Sequence, residues 1–141
     1  MASIPQLLIP WMSRLWWPEY LQHILGRLPW SPRTGAAAFF SFIALTAIST
    51  FVEELVFRGF IQERLSWFFP QAAAIVGASI LFGIMHWTPG NPIVVFADIS
   101  AVIVDGMFYG AIYVRSRSVL VSWTVHFFSD IVGLAMLLLL I

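Results

Sequence analysis

Four long apolar stretches account for most of this chain. They cover residues 35–52, 71–87, 93–114 and 119–141, and short polar or proline-containing segments separate them. At ~1.5 Å of rise per residue, the shortest would form a helix of about 26 Å, which approaches the ~30 Å hydrocarbon thickness of a bilayer. The pattern therefore predicts an all-α, multi-pass transmembrane helix bundle with about four core spanning helices.

Composition supports this interpretation and excludes several functions. Of 141 residues, 60% are hydrophobic and 10% are charged, and the mean hydropathy of +0.90 lies far outside the range of soluble domains. The formal net charge is zero and lysine is absent, so no basic surface for nucleic acid is present. The absence of cysteine excludes disulfides and thiol catalysis. We predict an integral membrane protein that contacts the lipid bilayer and binds no nucleic acid.

The first 34 residues differ in character from the rest. They combine several tryptophans, arginines and prolines, and tryptophan with arginine favours the headgroup layer of a membrane. Between residues 18 and 29 the apolar side chains recur on one helical face, opposite Gln22 and Arg27. We predict two parts: a Trp- and Arg-rich interfacial segment with an amphipathic helix over 1–34, and a four-helix transmembrane catalytic core over 35–141.

Three charged side chains lie where the first apolar stretch ends. Glu53 and Glu54 are followed four residues later by Arg58. An ionisable side chain at membrane depth costs roughly 2.5–3.5 kcal/mol, so such groups usually face a bundle interior and serve a pathway or a reaction. Glu54 and Arg58 have the favourable order for a helical ion pair, which leaves Glu53, about 100° away around the helix, as a candidate general base. The alternative is a solvated network of charges at a helix end.

Two polar pairs lie on the second and fourth predicted spans. His86 follows Phe82 by four residues near a helix end, whereas His126 and Asp130, also four apart, lie well inside an apolar stretch where unpartnered polar groups are costly. Such groups can orient a water, stabilise an oxyanion, or bind a metal together with Glu53 and His86. Counting helical rise places Glu53 and His126 at similar depths of about 13–17 Å, and His86 about 6–10 Å beyond them.

The third and fourth spans carry further polar or small residues. Asp98 and Asp105, seven residues apart, share one stripe, and we assign them a supporting hydrogen-bonding role. Gly106 and Gly110 have the small-xxx-small spacing that lets two helices approach closely. No nucleophile elbow accompanies the serines that lie on the histidine-bearing helices, which are Ser79, Ser122 and Ser129.

The ordered polar motifs resemble those of a known family. Glu53-Glu54-x-x-x-Arg58, then Phe82-x-x-x-His86, then His126-x-x-x-Asp130 resemble the three motifs of the CAAX protease and bacteriocin-processing family of intramembrane glutamate-type proteases. The resemblance covers roughly residues 45 to 133 and includes order, spacing and placement on separate spans.

The resemblance implies catalytic roles for six residues. Glu53 would activate water with help from His86, while His126 and Asp130 would lie near the developing oxyanion. Glu54 and Arg58 would complete the acidic motif. No cofactor would be required, and the alternative is zinc held by Glu53, His86, His126 and Asp130. The position of Asp130 is often asparagine in the family, and an ionised aspartate cannot donate a hydrogen bond to an oxyanion.

The function implied is that of an intramembrane endopeptidase that cuts a peptide or lipidated protein substrate, including prenylated CAAX-type substrates. Family members commonly have about eight spanning helices, and the small size of this chain favours a prokaryotic cell membrane.

Two other classes of function stay open. One is a non-catalytic scaffold or bacteriocin self-immunity protein that uses the same polar network for packing, and the other is an ion or proton pathway.

Overall fold

The computed structural model describes residues 17–26 and 35–140, and within these ranges the chain is helical with short connections. The helices are α1 (Trp17–Leu25), α2 (Gly35–Leu65), α3 (Gln71–Met85), α4 (Pro92–Ser116) and α5 (Val119–Leu140). The predicted all-α transmembrane bundle is confirmed. Most of the predicted interfacial segment, residues 1–16 and 27–34, lies outside the described residues, so the boundary at residue 34 stays a prediction.

The number of full spans differs from the sequence-based expectation. Among the described residues, three helices are long and apolar enough to cross a membrane: Gly35–Leu65, Pro92–Ser116 and Val119–Leu137. Helix α3 has only 15 residues, because the backbone N–H groups of His86 and Trp87 bond to the carbonyls three residues earlier and end the helix before the predicted residue 87. At ~1.5 Å per residue α3 is about 22 Å long, so this helix is shorter than the hydrocarbon core of a bilayer.

Helix α2 is polar on its inner face and apolar on its outer face. The inner face is a stripe of buried residues at four-residue intervals: Phe42, Thr46, Thr50, Glu54, Arg58 and Gln62. The outer face exposes large side chains, including Phe40 at 69% and Leu45 at 64%. A lipid environment accommodates such an apolar surface, which in water would be an interaction or aggregation site. Along this helix the apolar side chains therefore face outward, and the buried charges Glu54 and Arg58 face the interior of the bundle.

Glycines allow α4 to lie close to α3 and to the second half of α2. A Cβ atom on Gly106 would lie 3.1 Å from Cβ of Ser79 in α3. A Cβ atom on Gly110 would lie 2.7 Å from Oε1 of Gln62 and 3.1 Å from Cγ2 of Ile75. The small-xxx-small spacing thus serves the predicted close approach, and these helices enclose the polar side chains described below.

The amphipathic helix α1 packs against the bundle. Its apolar face buries Tyr20 and Ile24 against Val94 near the start of α4 and Leu137 near the end of α5. Gly90 of the α3–α4 loop also lies against this helix, since a Cβ there would be 2.9 Å from Nδ1 of His23. The apolar face that the sequence predicts for this helix therefore packs against the transmembrane helices of the same chain.

Candidate active site

Glu54 is the centre of a buried polar network. Its carboxylate is fully buried and lies 3.4 Å from Nε of Arg58, the ion pair that the four-residue spacing predicts. The same carboxylate accepts hydrogen bonds from Nδ1 of His126 at 2.9 Å and from Oγ of Ser122 at 2.5 Å. One glutamate of α2 therefore fixes two side chains of α5, four residues apart on one helical face.

The bond to Glu54 determines what His126 can do. A carboxylate only accepts hydrogen bonds, so Nδ1 of His126 donates, and Nε2 of the neutral ring keeps its lone pair. The ring is held flat against the ring of Tyr109, with 4.3 Å between centroids and 18° between planes, and the ring of Phe82 lies nearly perpendicular to it with 5.9 Å between centroids. His126 thus has a fixed tautomer and orientation, which are the requirements for a positioned acid–base or oxyanion-binding group.

Glu53 has a different environment from its neighbour. Its side chain is 26% exposed, and Oγ of Ser49 donates to it at 3.0 Å. Its Oε2 lies 3.9 Å from Nε2 of His126, which is beyond a direct hydrogen bond and leaves room for a bridging group. Of the two adjacent glutamates, the structure leaves Glu53 accessible beside a histidine and uses Glu54 to hold that histidine.

Asp130 lies on the same side of His126 as Glu53. Its Oδ2 is 3.9 Å from Nε2 of His126, and the residue is 6% exposed. The Nε2 atom therefore faces two carboxyl groups at equal distances, with neither in direct contact. This space is where a water or a substrate oxygen can lie between the three side chains.

Arg58 crosses from α2 to α4 in a widened part of the helix. Residues Leu55–Gln62 form a π-helix, in which each bond spans five residues, and such segments are frequent at functional sites. Nη2 of Arg58 donates to the carbonyl of Gly106 and Nε2 of Gln62 donates to the carbonyl of Gly110, both at 3.1 Å. The missing side chain of Gly110 gives Gln62 access to the α4 backbone.

Phe82 connects His86 to the rest of the site. The centroid of its ring lies 4.5 Å from the ring centroid of His86 and 5.9 Å from that of His126. Cζ of Arg58 lies 4.8 Å from the same Phe82 centroid. Nδ1 of His86 donates to the Phe82 carbonyl at 2.8 Å, so Nε2 of the neutral ring keeps the lone pair. The ring of Phe82 is therefore a common neighbour of His86 and His126, and the depth difference expected between the two histidines stays a prediction.

Some residues that shape this site were assigned no such role from the sequence. Tyr109 supports the His126 ring, and Ser122, which we considered only as a nucleophile, is committed to Glu54. Trp123 ties α5 to α2 by donating from Nε1 to the carbonyl of Ala47 at 3.0 Å. The pairing of Tyr109 with His126 joins helices with no regular sequence spacing, so no sequence signal could have revealed it.

The two aspartates of α4 have separate surroundings. Asp98 is fully buried and its Oδ2 lies 3.4 Å from Nε2 of His23 in α1. Asp105 is 5% exposed and lies within electrostatic range of Tyr109. The supporting hydrogen-bonding role of both aspartates stays a prediction.

The zinc alternative requires three or more ligands that converge on one point. In the part of the chain that the structure describes, no group of three or more His, Asp or Glu side chains has an arrangement that could hold a metal ion. The four residues named for zinc do not form such a group here. The zinc alternative stays a prediction that treatment with a chelator tests.

The fold and the site define a class of protein: a polytopic helical membrane protein with acids and histidines clustered between its helices. Among models of protein families, that of the Rce1-like type II CAAX prenyl endopeptidases matches residues 34–132. The match covers more than half of the chain and includes all six predicted site residues. The chain therefore belongs to this family of proteases, and the predicted family is confirmed. No curated protein and no solved structure matches the chain.

Proposed function

We propose that this protein is an intramembrane endopeptidase in which Glu53 activates the attacking water. The observation that carries the proposal is the difference between two adjacent glutamates. Glu54 is fully buried, hydrogen-bonded to His126 and Ser122 and ion-paired with Arg58, whereas Glu53 is 26% exposed and faces Nε2 of His126 across 3.9 Å. A general base must reach water and the reacting carbonyl, and Glu53 meets that requirement.

In the proposed reaction, Glu53 takes a proton from a water that His86 helps to orient, and the resulting hydroxide attacks the carbonyl carbon of the scissile peptide. Negative charge moves to the carbonyl oxygen beside His126, whose orientation Glu54 already fixes and whose Nε2 donates to that oxygen when the imidazole carries a proton on both nitrogens. Protonated Glu53 then gives its proton to the leaving amine, and the C–N bond breaks. Preorganised donors at the developing oxyanion typically contribute about 100- to 1,000-fold in rate.

Asp130 would assist at the oxyanion only when it carries a proton, because an ionised carboxylate has no hydrogen to donate. Asn has the same shape and always presents two N–H donors. We therefore expect Asp130→Asn to hydrolyse substrate at least as fast as the wild type, and Asp130→Ala to be slower. Slower hydrolysis by Asp130→Asn than by Asp130→Ala would argue against a donor role at this position.

The test of the proposal is hydrolysis of a peptide library, including peptides with lipidated C-termini, by the purified protein in liposomes. Wild type is compared with Glu53→Gln and with wild type after treatment with a zinc chelator. We expect Glu53→Gln to abolish cleavage and the chelator to leave it unchanged. Chelator sensitivity that added zinc reverses would instead support the metal alternative.

Ser49→Ala is the matched control for Glu53→Gln. It removes the hydroxyl that bonds Glu53 at 3.0 Å and keeps the carboxylate. We expect it to retain cleavage at a reduced rate. If Glu53→Gln cleaved as well as Ser49→Ala does, Glu53 would not be the base.

A non-catalytic scaffold is the second candidate, and one observation favours it. The Glu54 network joins α2 to α5, and Arg58 joins α2 to α4, so the same charges also hold the bundle together. Absence of cleavage by folded wild type across a broad library would support this candidate.

For the substrate, we propose a membrane-associated protein or peptide, with prenylated CAAX-type C-termini as the first class to test because of the family to which the chain belongs.

A further inference from the structure

His23 of α1 is surrounded by the loop that follows His86. Its Nε2 lies 3.2 Å from Oγ1 of Thr88 and 3.4 Å from Oδ2 of Asp98. On the other side of the ring, a Cβ atom on Gly90 would lie only 2.9 Å from Nδ1, so the loop backbone runs directly against the imidazole. The side chain of His23 is 9% exposed and that of Asp98 is fully buried. A polar pair this far from solvent has a defined geometry.

A second contact joins α1 to the same loop. Nδ2 of Asn91 donates to Oε2 of Glu19 at 2.9 Å, and Glu19 precedes His23 by one helical turn. Asn91 also caps α4, since its Oδ1 accepts from the backbone N–H of Ile93 at 3.0 Å. Helix α1 therefore contacts the loop at Thr88, near its start, and at Asn91, where α4 begins.

His86 lies between α3 and this loop. It directly follows Met85, the last residue of α3, and the turn that ends the helix includes its own N–H and that of Trp87. A side chain at a helix end moves with the following loop more readily than one in mid-helix. The loop from Thr88 to Asn91 contains Pro89 and Gly90, and α1 supplies the contacts described above.

We propose that His23 is a positioning residue: α1, which precedes the family-matched region, clamps the α3–α4 loop through His23 and Glu19 and thereby orients His86 toward Glu53 and His126. The catalytic consequence rests on the proposed function, whereas the structural link between His23 and His86 does not. Loosening the clamp would lower turnover without removing any group that touches the substrate.

The test uses the fact that the chain has three histidines, His23, His86 and His126. The full chain, labelled with ¹⁵N only in histidine and reconstituted in bicelles, gives three sets of imidazole signals that single replacements assign. Thr88→Val removes the hydroxyl near His23 at nearly constant volume, and Thr88→Ser is the matched control that keeps it. We expect Thr88→Val to shift the His86 signals and leave those of His126 in place, and Thr88→Ser to change neither.

Glu19→Ala provides an independent variant, because it removes the second contact from an exposed position of α1. Gln22→Ala, also exposed on α1, is its control. We expect Glu19→Ala to shift the His86 signals and Gln22→Ala to leave them unchanged. Unchanged His86 signals in both Thr88→Val and Glu19→Ala would overturn the clamp, and so would equal shifts at His86 and His126, which indicate a general structural effect.

The activity measurement then tests the catalytic consequence. We expect Thr88→Val and Glu19→Ala to lower kcat by up to about 100-fold, the effect of displacing a catalytic group by ~1 Å, with KM little changed. A raised KM at constant kcat would overturn the positioning role. If wild type proves inactive, the proposed function fails, and the histidine spectra still decide whether the clamp exists.

Discussion

The same substitution at two adjacent residues should change two different properties. Glu54→Gln should lower the free energy of unfolding, and Glu53→Gln should abolish cleavage. Glu54 is fully buried against Arg58, which is itself 1% exposed. Glutamine at position 54 can still accept one hydrogen bond, but it leaves the guanidinium without its counter-charge. Removing one partner of a buried ion pair typically costs about 3–5 kcal/mol, because the other charge stays buried and uncompensated.

Glu53 lacks these contacts. Its side chain is 26% exposed, its hydrogen bond is from Ser49, and its distance of 3.9 Å to His126 is too long for a direct bond. Partly exposed charge interactions are typically worth about 0–1 kcal/mol. Glu53→Gln should therefore leave the free energy of unfolding within about 1 kcal/mol of wild type while it abolishes cleavage.

The assay is reversible unfolding in bicelles, with cleavage measured on the folded fraction. The double variant Glu54→Gln with Arg58→Met removes the uncompensated cation, and its loss should be smaller than the sum of the single losses by about 0.5–3 kcal/mol. Equal destabilisation by Glu53→Gln and Glu54→Gln would refute the division of roles, and so would additive losses in the double variant.

Three further predictions concern packing and chemistry. Gly110→Ala places a Cβ atom 2.7 Å from Oε1 of Gln62, so it should cost about 1–3 kcal/mol in bicelle unfolding, and Gly77→Ala, where the nearest atom is a leucine methyl at 3.3 Å, should cost less. Ser122→Ala removes the hydroxyl that donates to Glu54, which should lower the free energy of unfolding by about 1.5–3 kcal/mol. The folded variant should still cleave substrate. Complete loss of cleavage would instead indicate that Ser122 is a nucleophile. Phe82→Ala removes a ring that is 2% exposed and should cost about 3–5 kcal/mol by the same unfolding assay, and a loss below ~1 kcal/mol would contradict its packing role.

Local spacing was sufficient to predict some contacts of the site. Glu54 and Arg58 form the pair that residues four apart on a helix can form, and Gly106 and Gly110 permit the close helix approach that their spacing indicates. The motif residues also stood out because an ionisable side chain inside an apolar span carries a free-energy cost, so a carboxylate or histidine there has to be explained by pairing or by function.

Other features could not be read from the chain. Helical rise gave relative depths for His86 and His126 but could not show that the ring of Phe82 packs against both of their rings, because such contacts depend on how the helices lie relative to one another. Helix α3 ends at Met85 because the turn at His86 forms hydrogen bonds that apolar periodicity does not report. The contact of Tyr109 with His126 also depends on packing between helices.

By itself, the sequence determined that this protein is a helical membrane bundle with charges inside it, because the energetics of lipid and water act on composition and on contacts within one helix. The four-residue spacing already paired Glu54 with Arg58 and left Glu53 as the candidate base, but only the tertiary structure decided that Glu54 also holds two side chains of α5 and that Glu53 stays accessible beside His126. Glu53 and Glu54 are chemically identical neighbours, and they differ because α5 brings His126 and Ser122 onto one of them. That choice depends on contacts between residues about 70 positions apart in the chain, to which no local pattern is sensitive.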